Sequence, residues 1–273
     1  MGILNVTPDS FSDGSRYNQM DKALAHAEQM LEQGAQIIDI GGESTRPGAQ
    51  EVDAEEECGR VIPLITRLKA LGAKVSIDTS KPEVMLAAAD AGADMLNDVR
   101  ALSLPGALTA AARCQLPICL MHMQGQPQSM QEAPQYRDVV AEVVDFLRLR
   151  IEACEQAGIS RSMISIDPGF GFGKTLDHNL LLLTQLERFG DLNQPILIGI
   201  SRKSMLGQIT GREVHDRMPA SIAAALIAMQ KGARIIRVHD VAETIDAKKV
   251  FVATQIRRNT TNDIKNKSGD LHV

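Results

Sequence analysis

Residues able to do chemistry recur at a fixed place in this chain, at the ends of short apolar runs. In order they are Asn5, Asp39 with Glu43, Asp78, Asn97, His122, Asp167, the run Ser201-Arg202-Lys203, and Arg237 with His239. Two or three polar strand ends would be ordinary; nearly every run ending this way points to a site that needs many directed contacts. Asp78, Asn97 and Asp167 offer carboxylate and amide edges that can hold a planar heterocycle carrying N–H donors and carbonyl acceptors, and the Lys203 ammonium can donate to its oxygen and ring nitrogen. Arg46, Arg237 and His239, with Asn5 and Thr45, form a cationic, hydrogen-bonding set suited to a polyanion such as pyrophosphate. A ligand that is half heterocycle and half phosphate satisfies both sets. No Ser–His–Asp or Cys–His constellation stands out, so a covalent enzyme intermediate is not indicated.

Three loops accompany these residues. Asp167-Pro168-Gly169-Phe170-Gly171-Phe172-Gly173-Lys174-Thr175 ends like a phosphate-cradling P-loop, but Pro168 stands where the first glycine is needed, which excludes that NTPase class. Its glycines instead let backbone approach a flat ligand. Residues 5–14 and 41–48 are rich in turn formers and hydroxyls, the composition expected of lids over a binding mouth.

The elements that must position these groups follow from a repeated unit: an apolar-periodic helix, a glycine stop, then a short β-branched run. Gly34, Gly72, Gly92, Gly158 and Gly232 mark the stops, and Ile37-Ile38-Asp39-Ile40, Val75-Ser76-Ile77-Asp78, Met95-Leu96-Asn97-Asp98, Ile164-Ser165-Ile166-Asp167 and Ile235-Ile236-Arg237-Val238 follow them. Pro82 and Pro105 stand near the first turns of two of the helices. Runs beginning at Ile3, Ile118 and Ile196 bring the strands to about eight, alternating with helices, which predicts a TIM-type (β/α)8 barrel. A doubly wound open sheet fits less well, because the first turn, Val6-Thr7-Pro8-Asp9, lacks a G-x-G-x-x-G fingerprint. No linker divides the chain, so a single barrel domain is expected over residues 1–256 with a polar, fraying tail over 257–273.

Composition removes other classes. With 273 residues, 44 % of them hydrophobic, the chain can bury a large core, and the absence of Trp leaves Leu, Ile, Val, Ala and Met to build it. A net charge of -5 gives no general attraction to nucleic acid or anionic membranes. No apolar run approaches the roughly 18 residues of a membrane span, and a cytoplasmic location is expected. Cys58, Cys114, Cys119 and Cys154 lack metal-type spacing and read as buried free thiols, without disulfides or zinc.

At these residues the chain resembles bacterial dihydropteroate synthases. The resemblance is carried by the segments at 5–14 (Asn-Val-Thr-Pro-Asp-Ser-Phe-Ser-Asp-Gly), 41–48 (Gly-Gly-Glu-Ser-Thr-Arg-Pro-Gly), 77–79, 97–98, 121–123 (Met-His-Met), 167–174, 201–204 (Ser-Arg-Lys-Ser) and 237–240 (Arg-Val-His-Asp), in the order the family uses. It implies that Asp78, Asn97, Asp167 and Lys203 hold a pterin ring with Met121 on its face, and that Asn5 ligates a Mg²⁺ bound to pyrophosphate. Thr45, Arg46, Arg237 and His239 would hold the pyrophosphate. It further implies that p-aminobenzoate lies between Phe11, Thr45, Pro47 and Phe172, its carboxylate near Ser204 at a helix N-terminus. Sulfonamides would compete there, and a homodimer through outer helices is expected. Ser15 departs from the second glycine frequent in the family and bears on the first lid.

The implied reaction breaks a C–O bond at the pterin methylene and joins that carbon to an aniline nitrogen. Ionisation first is favoured, because the dihydropterin nitrogens share the charge, Asp78 can stabilise it, and Mg²⁺ with the cationic cluster neutralises the leaving pyrophosphate; Asp78, Lys203 and Asn5 are thus the candidate catalytic residues. A methyltetrahydrofolate–corrinoid methyltransferase barrel would use the heterocycle contacts alone, with no leaving pyrophosphate for Arg46, Arg237 and His239 to hold. A non-enzymatic pterin-binding module would not need Lys203, Asn5 and Asp78 together, and a sugar-phosphate isomerase barrel suits the carboxylate-lined mouth less well.

Overall fold

Among the described residues, eight short runs form one parallel sheet: β1 (Gly2–Asn5), β2 (Ile38–Gly41), β3 (Val75–Asp78), β4 (Met95–Asp98), β5 (Ile118–Met121), β6 (Ile164–Asp167), β7 (Ile196–Ile198) and β8 (Ala233–Ile236), paired in chain order. The sheet closes on itself. Gly2 bridges Val238 in parallel, Ile3 N donates to Val238 O at 2.9 Å, and Val238 N donates to Met1 O at 2.9 Å. The structure, a computed structural model, describes residues 1–6, 16–44, 51–126 and 130–268, with side chains for 1–6, 20–44, 51–126 and 130–256.

Helices α1 (Arg16–Glu32), α2 (Ala54–Ala70), α3 (Pro82–Asp90), α4 (Ala107–Cys114), α5 (Val139–Gln156), α6 (Leu176–Thr184), α7 (Ser204–Thr210), α8 (Met218–Gln230) and α9 (Val241–Ser268) surround the barrel. The five predicted glycine stops all take left-handed φ, from 77° to 101°, which an L side chain adopts only at a cost. Pro82 opens α3 as predicted, and Pro105 stands just before Gly106, the N-cap of α4. The unit between β7 and β8 carries two helices, α7 and α8, where the simple repeat has one. The boundary expected after Ile256 falls within α9, whose backbone stays helical to Ser268.

Strand alternation divides the core in two. Outward residues such as Leu4, Ile40, Ile77, Leu96, Leu120 and Ile166 are fully buried beneath the helices, each contributing about 1.5–3 kcal/mol. Inward, Met95, Cys119 and Leu197 pack with Met1 and Ile235 into an apolar plug inside the barrel. Polar side chains that follow on these inward faces, toward the strand ends, therefore sit on an apolar floor. The four cysteines are free thiols.

Candidate active site

Register, not proximity in sequence, assembles the mouth. Asn5 lies opposite Gly41, Gly41 opposite Asp78, and Asp78 opposite Asn97, while Met121 pairs with Asp167 on the far side. These residues end their strands, so their side chains rim the carboxyl end of the barrel. Lys203 reaches the rim from the loop after β7 and Arg237 from the end of β8.

The centre of the mouth is an ion network. Arg237 Nε donates to Asp39 Oδ2 at 2.5 Å and Nη2 to Asp78 Oδ2 at 2.8 Å, while Asn97 Nδ2 donates to Asp39 Oδ2 at 3.0 Å. Asp39 is fully buried, and both donors meet its Oδ2. Burial lifts the Asp78 carboxyl to about 7, against the pull of Arg237 and with the push of Asp39. Burial works against the Arg237 charge as well, but the two carboxylates more than compensate and raise its pKa.

Asp167 and Lys203 form the second part. Gly169 N donates to Asp167 Oδ1 at 2.8 Å, and Oδ2 lies on the side of Gly199, where an added Cβ would meet both Asp167 Oδ2 and Arg237 Cδ at 3.9 Å. Burial raises the Asp167 pKa, with Lys203 opposing. Burial lowers Lys203 to about 8, with Asp167 opposing. The Lys203 ammonium donates to Phe170 O and lies 4.5 Å from the centroid of the Phe172 ring, a cation–π distance. Added bulk at Gly171 would press on Lys203 Cδ at 3.2 Å, so this glycine leaves the lysine its path.

The structure thus brings together Asp78, Asn97, Asp167, Lys203 and Arg237, with Asn5 and buried Met121 on the same rim. His239 is held through Ser201, whose Oγ accepts from His239 N at 3.2 Å and lies 3.0 Å from Nδ1. Arg202, at φ 58°, is fixed by Asp240, which accepts from its Nε at 3.1 Å. Ser204 is the exposed first residue of α7. Phe11, Thr45, Arg46, Pro47 and Ser15 lie outside the described residues.

Two strand-end residues turn away from the mouth. Glu43 shares the Lys81 ammonium with Glu57, at 2.6 and 2.7 Å, and accepts from Val52 N at 3.2 Å, which makes it a brace between the loop after β2 and α2. His122 is buried against the edge of Phe146, its Nδ1 2.9 Å from the Lys174 ammonium. Burial and then Lys174 push its pKa to about 2, so it is a neutral acceptor that supports the wall. Sequence reasoning named Asp39 among the polar residues of the mouth without giving it a role, and did not single out Lys174. Asp39 sits mid-run among isoleucines, and the only available signal was a carboxylate inside a β-branched strand.

A closed (β/α)8 barrel with carboxylate, amide and ammonium groups gathered at its carboxyl-terminal mouth defines an enzyme architecture fitted to a flat, hydrogen-bonding ligand. Residues 1–239 match the family model described as pterin binding enzyme. Dihydropteroate synthase of Escherichia coli K12 is 55 % identical over 255 residues, covering 93 % of this chain and 90 % of that protein. Dihydropteroate synthase of Yersinia pestis, solved as a sulfonamide drug complex, superposes with a TM-score of 0.89 at 52 % identity, covering 93 % of each chain. The Xanthomonas albilineans enzyme, solved with 4-aminobenzoic acid, gives a TM-score of 0.89 at 54 % identity, covering 93 % of this chain and 92 % of that one. The chain belongs to the pterin-binding enzyme family and, within it, to the dihydropteroate synthases.

Proposed function

We propose that the chain condenses 6-hydroxymethyl-7,8-dihydropterin pyrophosphate with p-aminobenzoate to give 7,8-dihydropteroate and pyrophosphate. The observation that carries this reading is the convergence of Asp78, Asn97, Asp167, Lys203 and Arg237 on one mouth, in a chain so similar to dihydropteroate synthases. Asp167 Oδ2 and the Asn97 amide read the ring edge, Lys203 donates to its oxygen and ring nitrogen, and Met121 covers its face. Arg237, His239, Thr45 and Arg46 take the pyrophosphate. The C–O bond breaks with its electron pair leaving on pyrophosphate, and Asp78 stabilises the pterin methylene cation. The aniline nitrogen, held with Phe11, Thr45, Pro47 and Phe172 and with its carboxylate toward Ser204, then forms the C–N bond and loses a proton.

A divalent cation fits this donor set. The described mouth carries three carboxylates, Asp39, Asp78 and Asp167, against the Arg237 and Lys203 cations, so a polyanion needs further positive charge to enter. Mg²⁺ keeps several waters and is held by few protein oxygens plus substrate phosphate, and the Asn5 amide oxygen at the end of β1 is the candidate ligand. When bound, the ion neutralises charge on the departing pyrophosphate.

Sulfonamides should occupy the p-aminobenzoate position. Exposed Leu180 and Leu181 on α6, Ile209 on α7 and Ile227 on α8 lie on successive outer helices and support a homodimer through that side. Free thiols accord with a reducing, cytoplasmic setting, and among the described residues no helix is long and apolar enough to cross a membrane. We retain residues 1–256 as the barrel domain and 257–273 as its tail. The test is incubation with the pterin pyrophosphate, p-aminobenzoate and Mg²⁺, with assay of pyrophosphate and dihydropteroate; folded protein that releases neither overturns the assignment.

A further inference from the structure

Lys174 is the most deeply buried lysine near the site, 3 % exposed, and among the described residues its nitrogen is in no ion pair. Its nitrogen lies 2.9 Å from His122 Nδ1, 2.9 Å from Gly169 O, 3.0 Å from Phe172 O and 3.4 Å from His122 O. Burial lowers the Lys174 pKa well below the ordinary lysine range, with Asp167 opposing, and the nitrogen still donates to the carbonyls around it. Burying a lysine head group this deeply is costly even when it is hydrogen-bonded, and a methionine of similar length would pack here without that cost. The lysine is therefore accounted for by what its donors hold in place.

Those donors join two loops. His122 follows β5, whereas Gly169 and Phe172 belong to the loop after β6. Gly169, Gly171 and Gly173 have φ of 73°, 78° and 62°. The loops are pressed together closely enough that a Cβ at Gly169 would lie 1.8 Å from His122 O, and one at Gly173 2.3 Å from Gln124 O. Tyr136 adds a second tie, its hydroxyl donating to Gly173 O at 2.8 Å. Asp167 is secured separately, since its carbonyl accepts from His122 N at 3.0 Å in continuation of the sheet ladder. Phe172 lies beyond the ladder, its N donating to Gly169 O at 3.2 Å within the same loop. Its carbonyl hangs on Lys174 while its ring faces Lys203.

We propose that Lys174 is a positioning residue for the second substrate: by tying the loop after β6 to the loop after β5, it fixes the Phe172 ring against which p-aminobenzoate packs. The inference rests on the reading of Phe172 as part of the p-aminobenzoate position. It assigns Lys174 no contact with either substrate and no proton transfer.

The experiment is steady-state kinetics with each substrate varied in turn, on Lys174→Met, Tyr136→Phe and Phe172→Ala. Lys174→Met is expected to raise the p-aminobenzoate KM roughly tenfold or more, with the pterin pyrophosphate KM and the saturating kcat within about threefold of the parent. Tyr136→Phe, a gentler loss in the same loop, should move the p-aminobenzoate KM the same way by roughly threefold, and it decides the matter if Lys174→Met does not fold. Phe172→Ala checks the underlying reading: an unchanged p-aminobenzoate KM there removes Phe172 from the second site. If Phe172→Ala raises that KM while folded Lys174→Met, or Tyr136→Phe in its place, leaves it unchanged or raises both KM values alike, the positioning role is refuted and the substrate assignment stands.

Discussion

Replacing Asp167 by asparagine changes the mouth by one atom and one charge at constant volume. Asp167 is 5 % exposed, and its Oδ1 is already committed to Gly169 N at 2.8 Å. That N–H demands an oxygen, so the asparagine must turn its NH₂ to the place of Oδ2, beside Gly199, where the pterin presents its own N–H groups. The variant loses a charge-assisted hydrogen bond, worth about 1.5–3 kcal/mol, and sets two donors face to face, leaving one unsatisfied at about 1–3 kcal/mol. Pterin affinity should therefore fall by about 3–5 kcal/mol, a hundredfold or more. Folding should respond differently. Burial raises the Asp167 pKa, so the fold gains little from the ionised form, and a neutral amide that keeps the Gly169 bond should hold stability within about 1 kcal/mol. Calorimetric titration with a dihydropterin and a thermal melt on the same sample separate the two. Unchanged affinity would remove Asp167 from the site, and lost affinity with a collapse in thermal midpoint would make it structural.

Lys203, lowered to about 8 by burial, should donate to substrate only while protonated, so kcat/KM for the pterin pyrophosphate should decline above that pH, and it should also fall below about 7, where Asp78 takes up a proton. Because Asp167 is the main influence holding Lys203 up, Asp167→Asn should move the break to lower pH; a profile flat through pH ~9.5 would contradict the role. Arg237→Met strands Asp39 and Asp78 and should destabilise the fold by about 3–5 kcal/mol in urea titration. That loss should shrink as pH falls, since Asp78, already lifted to about 7, takes up a proton more readily in the folded state; a loss that grows on acidification would refute the network. Chelation with EDTA should abolish turnover and added Mg²⁺ should restore it, and turnover that survives exhaustive chelation would dismiss the ion.

The barrel was legible because its signals are local. Apolar runs after Gly34, Gly72, Gly92, Gly158 and Gly232 become strands β2, β3, β4, β6 and β8, and the polar residue ending each is where the register needs it. That the unit between β7 and β8 carries two helices was not legible: a helix start at Ser204 came only from the resemblance, and the seven residues of α7 are too few to show a periodicity of their own. Asp39 shows the deeper limit. Its donors, Asn97 and Arg237, lie 58 and 198 positions away, and no local pattern encodes a pairing that only barrel closure creates. The end of the β6 loop looked like a phosphate cradle because Gly-Lys-Thr is local, whereas the acceptors that occupy Lys174 include His122, 52 positions earlier. Glu43 was grouped with the mouth by position, and the buried Glu57–Lys81 pair on neighbouring elements turns it elsewhere.

Closure also sorts the chemistry by side. Because Gly2 bridges Val238, the seam between β8 and β1 sets Arg237 and His239 beside Asn5, so the groups read as binding pyrophosphate share one arc. Asn97, Met121 and Asp167, read as holding the heterocycle, come from β4, β5 and β6 across the mouth. Asp78 stands between these arcs, bonded to Arg237 on one side and neighbouring Asn97 in register on the other. A substrate with a pterin at one end and pyrophosphate at the other must then place its connecting methylene near Asp78. Beneath lies the apolar plug of Met95, Cys119 and Leu197, a floor that screens a developing charge less than water does. On the proposed reading, a cation formed at that carbon would meet a carboxylate while the departing anion is drawn toward the opposite arc, so the same segregation that orients the substrate would lower the barrier to breaking it.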